Sequence, residues 1–202
     1  MTLSWRNAPL TSPQRAGYLD AMLPFTLPEP APLIQAGSVD SLMMALASVP
    51  EELREKQARH IVMLRERRRL LLLDHGSLRS AFPVAVGMPG WETPTGSFRV
   101  LEKIDQPIWV HPVTGERVEE QGQDNPLGSH WIAFHRDCLG RDAHDGETWV
   151  TIKGCTTTGF HGTPHRWTVG RAISHGCVRL YNEDVKSLYR QVSLGMGVTV
   201  LP

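Results

Sequence analysis

From His60 to the C-terminus the chain is cut into short apolar runs by clusters of Gly, Pro, Asn and Asp, and this punctuation limits the fold more than any other feature. Residues 61–73 are apolar with interspersed arginines, Asp74-His75-Gly76-Ser77 supplies turn residues, and residues 78–86 resume, which predicts a hairpin. Further strand-like runs follow at 96–104, 108–111, 131–134, 148–153 and 198–201. Short strands at this spacing favour a mainly β fold, an antiparallel sandwich or barrel. One helix interrupts them. Asn182 suits its N-cap, Glu183 and Asp184 suit the positive end of its dipole, and Val185, Leu188, Tyr189 and Val192 form an apolar face.

The first part of the chain reads differently. Pro9, Pro13, Pro24, Pro28, Pro30 and Pro32 punctuate residues 1–37, and proline removes a backbone donor and disfavours helix before it. An extended tail or surface-wrapping arm is expected there. Asp40 or Ser41 can then cap a helix carrying Leu42, Leu46 and Val49, and Ser48-Val49-Pro50-Glu51 reads as a capping box for a second short helix over 49–57. The expected division is a Pro-rich arm with short helices over 1–57 and one β domain over 58–202.

Lys+Arg and Asp+Glu both number 21, so net charge is zero and no footprint for nucleic acid exists. The single basic cluster, Arg65-Glu66-Arg67-Arg68-Arg69, is expected on a solvated strand face or turn. No apolar stretch approaches the roughly 20 residues that span a bilayer. The N-terminus lacks a basic-then-apolar signal sequence, and 42–47 is too short to imitate one. Three cysteines, an odd number, argue against a disulfide framework. If Cys177 is reactive, Cys138 and Cys155 remain as a pair in an oxidising compartment or as two free thiols.

The chemistry concentrates between Gly159 and Arg179. A cysteine is a good acyl acceptor only as thiolate, so Cys177 needs an imidazole or positive potential nearby. His161 and His175 both qualify, the latter because residues i and i+2 of an extended segment share a face. Gly176 frees the backbone to turn before the nucleophile, and the N–H groups of Gly176 and Cys177 can aim at a developing oxyanion. Thr163 or Ser174 can orient an imidazole, and Arg179 can bind a substrate carboxylate. On spacing alone, a buried thiol with satisfied core histidines explains these residues as well. A zinc site built from His161, His165, His175 and Cys177 matches no usual structural spacing.

Taken together, His161-Gly162-Thr163-Pro164 followed by Ser174-His175-Gly176-Cys177-Val178-Arg179-Leu180 closely resembles the signature of the L,D-transpeptidase catalytic-domain family. Phe82-Pro83-Val84-Ala85-Val86-Gly87, Trp91-Glu92-Thr93-Pro94-Thr95-Gly96-Ser97-Phe98 and Asn125-Pro126-Leu127-Gly128 extend the resemblance in the same order. The match covers roughly residues 60–202. The resemblance implies a β-sandwich or barrel with a short helix after the catalytic cysteine, acting in the periplasm or cell envelope on peptidoglycan stem peptides. It makes Cys177 the nucleophile that attacks a tetrapeptide stem and expels D-alanine. An amine then takes the acyl group, giving a 3→3 crosslink or, as in some relatives, a link to an envelope protein. His161 matches the usual general base, His175 and Gly176 the pocket beside the nucleophile, and Arg179 a position held by Arg or Asn. Neither metal nor organic cofactor is implied. An L,D-carboxypeptidase would share the acyl-enzyme, and a non-catalytic envelope-binding module would not need Cys177.

Three weaker readings remain. Trp91, Trp109 and Trp131 are better read as core than as groove lining. Thr93-Pro94-Thr95-Gly96 reads as a turn entering a strand. The polar stretch from Cys138 to Cys155 reads as a lid or a surface loop.

Overall fold

The computed structural model describes residues 39–110, 117–119, 122, 124–144, 149–152 and 154–202. The expected arm over 1–37 lies outside the described residues. Helices α1 (Val39–Ala47) and α2 (Glu51–Arg54) precede strands β1 (His60–Leu64), β2 (Arg69–Asp74), β3 (Ser77–Pro83), β4 (Val86–Gly87) and β5 (Gly96–Arg99). Then come β6 (Glu102–Asp105), β7 (Trp109–Val110), β8 (Arg117–Val118), β9 (His130–Asp137), β10 (Arg141–His144) and β11 (Trp149–Ile152). The chain closes with β12 (Thr156–His161), β13 (Ala172–Ser174), β14 (Val178–Arg179), α3 (Asn182–Gln191) and β15 (Gly197–Leu201).

A five-stranded sheet in the order β3-β2-β1-β15-β5 forms the centre. Its middle strands are apolar at nearly every position because both faces are covered. Ile61, Met63, Leu70 and Leu72 point into the main core, whereas Val62, Leu64, Leu71 and Leu73 join Ala45, Val49 and Leu53 beneath α1 and α2. A four-stranded sheet, β14-β12-β9-β6, covers the other face. It contributes Ile132, Phe134, Phe160 and Val178, and α3 adds Val185 and Leu188. The rings of Phe134 and Phe160 lie 4.6 Å apart between the two sheets' other side chains. The mainly β expectation holds.

Several local expectations do not. Residues 61–73 form two strands, because Arg65 to Arg68 turn the chain with Arg68 at φ 51°. The basic cluster does form a turn, one of its expected placements, and two of its cations are used: Arg65 Nη1 donates to the Thr93 carbonyl and Arg68 Nη1 to that of Gly170. Residues 96–104 also split, with β5 in the central sheet and β6 in the covering one. The β1–β15, β4–β13 and β12–β14 pairs are parallel, so the sheets are mixed. The expected capping box is absent, since Ser48 Oγ folds back onto the Ala45 carbonyl. Asn182 begins α3, but its Oδ1 accepts from the Ser129 N–H and makes no cap.

The β1–β15 seam also holds a titratable group. His60 is buried, its Nε2 lies 2.8 Å from Thr199 Oγ1, and burial with the nearby Lys56 charge pushes its pKa down to about 4. The folded ring stays neutral where the unfolded chain takes up a proton, so stability falls as pH drops below the ordinary histidine range. The thermal midpoint is expected to be roughly 5 °C lower at about pH 4.5 than at about pH 7. His60→Gln should narrow that gap; an unchanged gap would exclude His60 as a source.

Candidate active site

The site is assembled where the C-terminal end of β12 meets β14. Phe160 pairs with Val178 and His161 with Arg179 in parallel register. Phe160 and Val178 are fully buried in the main core, so alternation sends His161 and Arg179 to the opposite face. Cys177 lies one residue before β14, half-buried, with Sγ 3.8 Å from the Thr157 carbonyl. It is the cysteine outside the disulfide that joins Cys138 and Cys155.

Residues 84–88 clamp this loop from the side. Gly170 N–H donates to the Val84 carbonyl, Val86 N–H to that of Arg171, and Met88 N–H to that of Ser174. Ala85 and Arg179 exchange both backbone hydrogen bonds, at 2.9 and 3.0 Å. The apolar run of the sequence thus becomes a backbone brace along both arms of the loop that carries Cys177.

His161 is buried, and its Nδ1 lies 2.6 Å from the Gly162 carbonyl. A carbonyl only accepts, so Nδ1 carries the proton and Nε2 is the basic nitrogen of the neutral ring. Burial pushes its pKa down to about 3, helped by the Arg179 charge and opposed by the Gly162 and Leu127 carbonyls. Trp131 covers the ring, with centroids 5.8 Å apart and planes at 31°. Burial also lowers the Arg179 pKa, opposed by the charge of Cys177. Arg179 Nε has no hydrogen-bond partner among the described residues.

Ser174 holds the backbone around Cys177. Its Oγ accepts the Gly176 N–H at 3.2 Å and donates to the Cys177 carbonyl at 2.5 Å. This corrects two expectations. Ser174 does not orient an imidazole, and the Gly176 N–H is committed to Ser174 and not aimed at an oxyanion. Thr163 is also set apart: it is buried, and its hydroxyl accepts the His165 N–H. Gly176, at φ 108°, breaks the extended run that would have put His175 and Cys177 on one face. His175 is exposed and stands edge-on to Trp91, 4.7 Å between centroids. Trp91 and Trp131 are buried, as the core reading expected, although each covers a histidine of the site, whereas Trp109 is only half-buried, on β7.

Two contributors were not singled out from sequence chemistry. Fully buried Asn125 donates Nδ2 to the Pro107 carbonyl and accepts the Leu127 N–H, holding the strap whose Leu127 carbonyl reaches His161. Thr93 contacts the Cys177 loop directly, through the Gly176 carbonyl. The ordered sequence matches over 82–98 and 125–128 were the only signal for either. Among the described residues no group of three or more His, Cys, Asp or Glu could hold a metal ion.

Residues 58–200 match the L,D-transpeptidase catalytic domain family, YkuD. The chain belongs to that family. Putative L,D-transpeptidase YqjB of Bacillus subtilis (strain 168) is 27% identical over 141 residues, 70% of this chain and 70% of that protein. Putative L,D-transpeptidase YkuD of the same organism is 24% identical over 169 residues, 84% of this chain and 80% of that protein. L,D-transpeptidase 3 from Mycobacterium tuberculosis, solved with a faropenem-derived adduct, shares the fold with a TM-score of 0.52 at 18% identity. That likeness covers 72% of this chain and 60% of the mycobacterial chain, so this chain spans less than two thirds of it.

The β9–β12 seam under the site leaves no room for a side chain at Gly159. A Cβ there would stand 2.7 Å from the Ile132 carbonyl oxygen and 2.9 Å from the Trp131 ring. Gly159→Ala is expected to cost about 1–3 kcal/mol by overpacking, read as a lower thermal midpoint. An unchanged midpoint would mean that Trp131 is not fixed over β12.

Proposed function

We propose that the protein is a peptidoglycan L,D-transpeptidase acting in the periplasm or cell envelope through a Cys177 acyl-enzyme. One observation carries the reading: the parallel β12–β14 register sets a buried neutral imidazole beside a half-buried guanidinium, two residues from the cysteine outside the disulfide. In the first step the Cys177 sulfur bonds to the carbonyl carbon at stem position three. The bond to the D-alanine nitrogen breaks, and the leaving amine takes a proton. In the second step an acceptor amine bonds to that carbon, the C–S bond breaks, and the thiol is restored. The acceptor is a second stem, giving a 3→3 crosslink, or an amine of an envelope protein.

The residues divide the work by their chemistry. Neutral His161 can receive the thiol proton and return it to the leaving amine, a role that contributes about 10²–10⁴-fold. Arg179 favours the thiolate by its charge, and its unpartnered Nε suits a carboxylate of the stem. A disulfide at Cys138–Cys155 supports an oxidising compartment. No helix among the described residues is long and apolar enough to cross a membrane. The mycobacterial relative carries a faropenem-derived adduct, which recommends a β-lactam as the acylating probe.

Intact mass after incubation with the carbapenem imipenem should rise by one adduct in the wild type and not in Cys177→Ala. A folded wild type without an adduct would overturn the acyl-enzyme. With a tetrapeptide stem as donor and acceptor, a crosslinked dimer is expected; free tripeptide alone would make the protein an L,D-carboxypeptidase. Arg179→Gln should raise KM for the stem by about tenfold, matching the loss of one charge-assisted hydrogen bond. His161→Gln should instead lower kcat by about a hundredfold or more.

A further inference from the structure

Thr93 has no exposed surface and lies between β4 and β5, across the fold from Cys177 in sequence but beside it in space. Its hydroxyl accepts the Gly87 N–H at 3.0 Å and donates to the Gly176 carbonyl at 2.9 Å. A hydroxyl has one proton to give, and the Gly87 N–H must be met by a lone pair. The proton is therefore directed at Gly176. Arg65 Nη1 donates to the Thr93 carbonyl at 3.2 Å, so the backbone of Thr93 is held from the β1–β2 turn as well.

The consequence lies in the next peptide unit. No cis peptide bond occurs among the described residues, and in a trans unit the C=O and the following N–H point in opposite directions. Fixing the Gly176 carbonyl toward Thr93 therefore turns the Cys177 N–H away from it. Gly176 needs such restraint, because at φ 108° it occupies backbone space that glycine enters and leaves cheaply. Ser174 holds the Gly176 N–H and the Cys177 carbonyl, and Thr93 holds the Gly176 carbonyl. Two buried hydroxyls thus fix three of the four backbone polar groups around the nucleophile. The direction of the fourth follows.

We propose that Thr93 is a positioning residue that aims the Cys177 N–H at the oxyanion formed in acyl transfer. This rests on the reading of Cys177 as an acyl nucleophile. When its sulfur bonds to the acyl carbon, the carbonyl π pair moves onto oxygen, and a preset N–H stabilises the resulting charge. Without the Thr93 hydroxyl the Gly176–Cys177 unit can rotate and present its carbonyl where the N–H should be.

The test separates oxyanion chemistry from thiol chemistry. Acylation by imipenem passes through a tetrahedral oxyanion; alkylation by iodoacetamide displaces iodide at an sp³ carbon and forms none. Losing one oxyanion donor altogether costs about 10²–10³-fold, so Thr93→Val, which misdirects it, should slow imipenem acylation by about tenfold or more. Iodoacetamide alkylation, which reads thiolate fraction and access, should change by less than about threefold with the same pH profile. Thr93→Ser restores the hydroxyl and should recover acylation to within about threefold of wild type. Parallel loss in both reactions, unchanged acylation in Thr93→Val, or failure of Thr93→Ser to recover would overturn the assignment. If Thr93→Val does not fold, Thr93→Ala reads the same comparison; if neither folds, the hydroxyl is a folding element and the assignment falls. A wild type inert to imipenem would sink the acyltransferase reading itself, whereas an acylated wild type with an equally reactive Thr93→Val sinks the role of Thr93 alone.

Discussion

The site depends on a short piece of parallel backbone, two residue pairs long, between β12 and β14. Such a ladder is too short to stabilise itself. It holds because Phe160 and Val178 are buried beneath it and because residues 84–88 brace the loop on its free side. The register has a chemical result. His161 and Arg179 become neighbours on one face, and the guanidinium charge reinforces the effect of burial in keeping the imidazole neutral. Packing that belongs to the core thus fixes the protonation state of a group outside it.

The fold was legible where local chemistry decides and obscure where distant pairing does. Asp74-His75-Gly76-Ser77 announced its turn because Gly76 takes a positive φ, and the α3 face of Val185 and Leu188 packs as its periodicity indicated. The turn at Arg65 to Arg68 was hidden. Apolar residues continue on both sides of it, since β1 and β2 are covered on both faces, and no Gly or Pro marks the reversal. The parallel seam of β1 with β15 joins the first and last strands among the described residues, and no spacing rule reports a partner so far away.

The site followed the same division. Cys177 and His161 stand out from residue type with the ordered motifs, because the proposed nucleophile and base need side chains of those types. The hydroxyls could not be assigned from type alone. Ser174, Thr163 and Thr93 are all small, buried and satisfied, and only their partners separate them. Ser174 and Thr93 bond the peptide units at Cys177, whereas Thr163 bonds the backbone of His165. Asn182 shows the same effect, a favourable capping residue drawn off by the Ser129 N–H.

The Cys138–Cys155 bridge has a bearing on how Cys177 comes to remain a thiol at all. Three cysteines admit three single bridges, and two of those three would consume Cys177. The native partners are 17 residues apart and flank the antiparallel β10–β11 pair, so hairpin formation alone brings them together. Cys177 reaches β12 only when the later parallel seam closes. Topology therefore sorts the sulfurs: the local pairing claims its two thiols by proximity and leaves Cys177 outside the bridge.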